Sequence, residues 1–180
     1  RLSRGLGDVY KRQGIKVDKG AKKLANSRDE TITEGLDGLR ERLEEYYKLG
    51  ARFTKWRAVY KITNKFPSVL SIKSNAHALA RYAALVQESK MVPIIEPEVL
   101  MDGDHDIDKC YQVTTDVLNE CYNELELNRV NLKGTVLKPN MIVNGINCKK
   151  KSNSEEIAQK TLICLKKNVP SEVPGIAFLS

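Results

Sequence analysis

Apolar positions recur along this chain in two rhythms that alternate. Four stretches carry the three-and-four spacing of an amphipathic helix. Leu36, Leu39, Leu43 and Tyr46 or Tyr47 mark the first, and Ala76, Leu79, Ala80, Ala83 and Val86 the second. Ile107, Cys110, Val113, Val117, Cys121 and Leu125 mark a long third, and Ile157, Thr161 and Leu165 a fourth. The fourth is expected to be capped by Ser152 or Ser154, with Glu155 and Glu156 in its first turn. Between the helices lie short segments of strand character at residues 14–18, 52–62, 91–100, 134–137 and 175–179, the third of them broken by Pro93 and Pro97. The order is β-α-β-α-β-α-β-α-β, which implies parallel strands joined by right-handed helical crossovers.

Two architectures satisfy that order: an open doubly wound sheet and part of a (β/α)8 barrel. No G-x-G-x-x-G or G-x-x-x-x-G-K-[ST] pattern follows any strand, so a nucleotide-binding doubly wound fold has no support. The strand segments end in charge instead. Lys16 lies in the first, Lys55 and Arg57 in the second, Glu96 and Glu98 in the third, and Lys138 follows the fourth. Charge at successive strand ends favours a barrel, whose chemistry sits at the C-terminal face. A whole barrel takes roughly 250 residues. The 180 residues here, with about five strands, are therefore read as a partial (β/α)8 TIM barrel of the α/β class.

Lys138 carries the most chemical information. It closes the buried-strand run Gly134-Thr-Val-Leu137, where a lysine is costly unless it is paired, exposed or used. Residues two apart in a strand share a face, so Lys55 pairs with Arg57 and Glu96 with Glu98. An amine among cations, with carboxylates on a neighbouring strand, is the setting of a nucleophilic lysine. The bland alternative is a set of ion pairs that only fix strand register. Each pair taken alone fits that alternative better. It weakens when three successive strands carry such charges, because buried ion pairs add little stability.

Composition narrows the partners. The net charge is +7, but residues 1–13 contribute +3 of it, and the remaining basic residues are scattered along helices without interleaved aromatics. Anionic small molecules, phosphates above all, suit this pattern better than nucleic acid. No stretch is long and apolar enough to span a membrane, and the N-terminus lacks the apolar core of a signal peptide. Cys110, Cys121, Cys148 and Cys164 show no C-x-x-C spacing, which reads as reduced, mostly buried thiols in the cytoplasm. Asp102-Gly-Asp-His-Asp-Ile-Asp108 looks like a calcium loop but lacks the turn glycine and the closing glutamate; its aspartates are expected to cap the third helix. His77 and His105 read as a helix-surface residue and a loop residue, so no metal site is expected.

Several motifs resemble one family. They are Gly14-Ile-Lys-Val-Asp-Lys-Gly20, Gly35-Leu-Asp-Gly-Leu39, Lys55-Trp-Arg57, Val92-Pro-Ile-Ile-Glu-Pro-Glu98, Asp102-Gly-Asp-His105, Gly134-Thr-Val-Leu-Lys-Pro-Asn-Met141 and Val173-Pro-Gly-Ile-Ala-Phe-Leu-Ser180. Their order and spacing resemble class I fructose-bisphosphate aldolase from residue 14 to residue 180. The resemblance implies a lyase of glycolysis, without metal or cofactor, that works through a lysine Schiff base. It implies Lys138 as the imine-forming amine, Glu96 as general acid and base, and Lys55 and Glu98 as groups tuning the reacting centre. Lys16 and Arg57 would meet one phosphate of a sugar-phosphate substrate, and Ser180 would begin the other phosphate site. It further implies a cytoplasmic homotetramer and, since aldolases also bind cytoskeletal filaments, that class of partner. Residues 1–13 do not look like the family and read as a non-native or mis-translated extension; residues 14–180 are the partial barrel domain. The family's first two strands with their aspartate, its eighth strand with a phosphate-binding arginine, and its tail tyrosine have no counterpart here. The fragment itself is therefore expected to be inactive. Two alternatives remain: another Schiff-base sugar-phosphate aldolase, and a non-catalytic binding or scaffold protein.

Overall fold

The computed structural model describes residues 13–178. The segment read as an extension lies outside the described residues apart from Gln13, which opens the first strand. Its β-strands and α-helices run β1 (Gln13–Lys16), β2 (Ala21–Lys23), β3 (Thr31–Thr33), α1 (Leu39–Lys48), β4 (Ala51–Tyr60), α2 (Val69–Glu88), β5 (Val92–Val99), α3 (Ile107–Leu127), β6 (Val136–Leu137) and α4 (Ser154–Asn168). Strands β1, β4, β5 and β6 form one sheet in that order, with every neighbouring pair parallel. A further parallel bridge joins Leu137 to Ile176, which begins the pairing expected of residues 175–179; Leu179 lies outside the described residues.

Alternation along β4 decides which face is which. Trp56, Ala58 and Tyr60 are buried in the core, and Trp56 stacks on Tyr82 of α2 at 5.4 Å between ring centroids. The Thr54 hydroxyl shares a 2.7 Å hydrogen bond with the Tyr82 hydroxyl, which donates to the Ile94 carbonyl at 3.2 Å. Even-numbered residues of β4 thus face the helices. Lys55 and Arg57 point to the opposite face, as the two-residue period requires. Helices α1, α2 and α3 bury the apolar stripes read from the sequence, including Leu39, Leu43, Leu79, Ala83, Val86, Val117, Cys121 and Leu125.

Three local differences from the sequence reading have plain causes. Strand β5 runs unbroken through Pro93 and Pro97. The odd-numbered residues of β5 face β6, since Lys138 N–H donates to the Ile95 carbonyl at 2.8 Å and Val99 N–H to Asn140 Oδ1 at 3.1 Å. The β5–β6 ladder spans just Ile94↔Val136 and Ile95↔Leu137, so both prolines flank it where no donor is needed. The cap of α4 is Asn153, whose side chain accepts from Glu156 N–H; neither Ser152 nor Ser154 fills that role. The antiparallel hairpin β2–β3 was not foreseen, because two three-residue strands carry too little alternation to register.

Candidate active site

The charged strand residues come together on the face away from the helices. Register places Lys16 beside Lys55 and Arg57 beside Glu96, while Lys138 follows β6 one step beyond the Ile95↔Leu137 pair. Lys16 and Lys138 stand at the C-terminal ends of β1 and β6, and Lys55, Arg57, Glu96 and Glu98 lie in the middle and C-terminal half of β4 and β5, the side on which barrel sites are built.

Glu96 is the centre of the cluster. Its side chain is 2% exposed and bridges two strands: Oε2 accepts from Lys55 Nζ at 2.7 Å, and Oε1 accepts from Lys138 Nζ. The Lys55 and Lys138 side chains are 27% and 17% exposed, so both amines can be reached from the open side. Arg57 Nε lies 2.5 Å from Glu98 Oε2 and 4.0 Å from Glu96 Oε1. The hydrogen bond to Glu98 raises the Arg57 pKa further above its ordinary range. Lys16, whose side chain is 54% exposed, reaches Asp18 Oδ1 at 2.9 Å.

Chemically, this is a proton-transfer pair set inside a ring of cations. A buried carboxylate in hydrogen-bond contact with an amine can take that amine's proton or return one to a group formed on it. The more open Lys16 and Arg57 present fixed positive charge to an anion. Ser180 lies outside the described residues. Among the described residues no group of three or more His, Cys, Asp or Glu side chains is arranged to hold a metal.

Two residues at this site had no role assigned from the sequence. Asp18 is almost completely buried and accepts from Arg57 N–H at 3.3 Å and Gly20 N–H at 3.1 Å. Thr33 donates its hydroxyl to the Arg57 carbonyl at 2.7 Å. The signal for Asp18 was present: it stands two residues after Lys16 in an extended segment, the spacing that singled out the other charged pairs.

Elsewhere, His77 lies on the surface of α2 with Nδ1 2.9 Å from Glu124 Oε2. His105 is in a loop but is buried, and neither ring nitrogen has a hydrogen-bond partner. Burial lowers its pKa, so the neutral ring is favoured. Asp106 caps α3 by accepting from Lys109 N–H at 2.7 Å. Cys110, Cys121 and Cys164 are buried and Cys148 is half-buried, and all four are free thiols; burial pushes Cys121 up to about 12. No helix among the described residues is long and apolar enough to cross a membrane. A cleft of about 690 Å³ lined by Tyr122, Arg129, Lys167 and Pro170 lies at the C-terminal ends of α3 and α4, away from the charged cluster.

Comparison with known proteins gives a consistent result. The family model for fructose-bisphosphate aldolase class-I matches residues 6–180. A probable fructose-bisphosphate aldolase class 1 from Xanthomonas campestris pv. campestris is 57% identical over 167 residues, covering 93% of this chain and 50% of that protein. A cytosolic fructose-bisphosphate aldolase of Arabidopsis thaliana is 53% identical, covering 93% of this chain and 42% of that protein. In three dimensions the chain superposes on fructose-bisphosphate aldolase from Plasmodium falciparum, solved in complex with TRAP and a small-molecule inhibitor. The TM-score is 0.94 at 45% identity, covering 97% of this chain and 51% of that one. The fold is a partial TIM barrel, and the chain spans about half the length of the curated relatives it matches.

Proposed function

This chain belongs to the class I fructose-bisphosphate aldolase family, and we propose that it carries the Schiff-base centre of a protein that reversibly cleaves fructose 1,6-bisphosphate. The products are glyceraldehyde 3-phosphate and dihydroxyacetone phosphate. The observation that supports this most directly is the buried Glu96 carboxylate joining the amines of Lys55 and Lys138.

In this reading Lys138 Nζ, in its neutral form, attacks the ketone carbon of the open-chain sugar to give a carbinolamine. Glu96 takes the proton lost by the amine and returns one to the departing hydroxyl, so water leaves and a protonated imine forms. That imine draws in the electron pair of the C3–C4 bond as it breaks. Glyceraldehyde 3-phosphate departs, and an enamine remains on Lys138. Protonation at C3 and hydrolysis then release dihydroxyacetone phosphate. Lys55, shared with Glu96, keeps a second cation beside the reacting amine. Glu98 orients the Arg57 guanidinium, and Arg57 and Lys16 receive a phosphate. Ser180 would begin the second phosphate site. The base that removes the sugar hydroxyl proton during C–C cleavage would come from outside these 180 residues. The chain alone is accordingly proposed to be inactive. The same reading extends to a homotetramer in the cytoplasm that also binds cytoskeletal filaments.

The test is cleavage by the full-length protein, assayed with and without a metal chelator against its Lys138→Met variant. The lysine stem and its packing are roughly kept by methionine. Chelator-resistant cleavage that Lys138→Met reduces to background is expected. Normal cleavage by Lys138→Met would rule out Lys138 as the nucleophile. Comparing sugar phosphates in the same assay separates this activity from that of other Schiff-base aldolases, and absence of cleavage of any of them would favour a binding protein.

A further inference from the structure

The β1–β4 ladder ends within the site. Its last paired residues are Lys16 and Lys55, and its last backbone bond runs from Val17 N–H to the Lys55 carbonyl at 3.1 Å. Arg57, two residues on, also turns its backbone groups toward that edge, but β1 has ended and no backbone group of it meets them. Asp18 Oδ2 takes the Arg57 N–H, and the Thr33 hydroxyl satisfies the Arg57 carbonyl. The segment that brings Thr33 also packs over Asp18. Gly35, at φ +130°, passes so close that a Cβ there would lie 3.3 Å from the Asp18 Cα.

The two oxygens of Asp18 divide the capping: Oδ1 accepts from Gly20 N–H and from Lys16, and Oδ2 from Arg57 N–H. A carboxylate buried this deeply is costly unless a cation answers it. The cation in contact is Lys16, at 2.9 Å, and its own side chain remains half exposed. We propose that Asp18 is a positioning residue for phosphate binding, its buried carboxylate fixing the direction of the Lys16 ammonium at the mouth of the site. The proposal rests on the assignment of Lys16 as a phosphate ligand in the preceding reading. An ammonium has three donors; Asp18 occupies one and leaves the others for an incoming anion. A long lysine stem held in this way has less rotamer freedom left to lose when the anion arrives.

The test uses the full-length protein and fructose 1,6-bisphosphate as the probe. Asp18→Asn keeps one acceptor oxygen, for Arg57 N–H or Gly20 N–H but not both, and removes the charge facing Lys16; the loss of one backbone cap is common to the wild-type and Lys16→Met backgrounds. A rise in KM of about tenfold is expected, the scale of one charge-assisted contact. The kcat should stay within about threefold, as for a group that assists binding more than chemistry. In a Lys16→Met background the same substitution should raise KM by less than about twofold, because its effect runs mainly through Lys16. An unchanged KM overturns the proposal. So does a lowered KM, which would make Asp18 a competitor of the phosphate, and so does an equal rise in the Lys16→Met background, which would mark general damage. If Asp18→Asn gives no folded protein by circular dichroism, Asp18→Glu carries the same test: its extra methylene moves the charge off Lys16, and the same KM pattern is expected. Borohydride capture of substrate on Lys138 is measured in parallel. Capture without the KM pattern overturns the role of Asp18 alone; no capture in the wild type overturns the aldolase reading and this role with it.

Discussion

Glu96 shows how a single residue couples burial to chemistry. Its carboxylate has almost no contact with solvent, yet it holds one amine from β4 and one from the end of β6. Removing its charge while keeping its shape leaves Lys138 in place but without a proton partner. Glu96→Gln is therefore expected to slow turnover of the full-length protein by ~10²–10⁴-fold, the usual contribution of a general acid–base group. Rapid-quench kinetics should show the carbinolamine accumulating, whereas Lys138→Met should form no adduct. Turnover at the wild-type rate would reduce Glu96 to a register-setting ion pair. At this scale the sequence was readable wherever strand parity applied, as for Lys55 with Arg57 and Glu96 with Glu98. It was not readable where burial depends on a distant segment. Asp18 is covered by residues 33–35, and His105 is buried where the Gly145 N–H meets the His105 carbonyl at 2.8 Å, with Gly103 close against its ring. No local periodicity records either contact.

The elements themselves were legible in kind and order because α1, α2 and α3 bury apolar stripes against a parallel sheet and α4 packs on α3. Their ends were less so, because ends are set by single hydrogen bonds. Helix α4 illustrates this: three consecutive polar residues, Ser152, Asn153 and Ser154, could each have capped it, and the chain uses Asn153. Asn153→Ala is expected to destabilise the full-length protein by about 1 kcal/mol, with Ser152→Ala and Ser154→Ala each costing less than about half of that. Urea denaturation midpoints of the three variants measure it, and an equal loss at Ser152 or Ser154 would contradict the assignment. Strand β5 makes the complementary point. Two prolines argue against a central strand on composition, but the ladder to β6 is so short that neither position requires a donor.

Among the described residues, four parallel strands and their crossover helices place lysines and carboxylates from four separate strands on one face. That convergence could be anticipated from the β-α order and the charged strand ends. The arrangement on which the proposed role of Lys138 rests, a buried carboxylate shared between Lys55 and Lys138, depends on register between strands about forty residues apart in sequence and appears just in three dimensions. The central claim is that Lys138 forms a covalent imine with the sugar. Incubating the full-length protein with fructose 1,6-bisphosphate and sodium borohydride, then mapping the modified peptide by mass spectrometry, tests it directly. The account predicts irreversible inactivation, with one reduced substrate adduct per chain on Lys138. Full activity after borohydride, or an adduct on Lys55 with Lys138 unmodified, would contradict it.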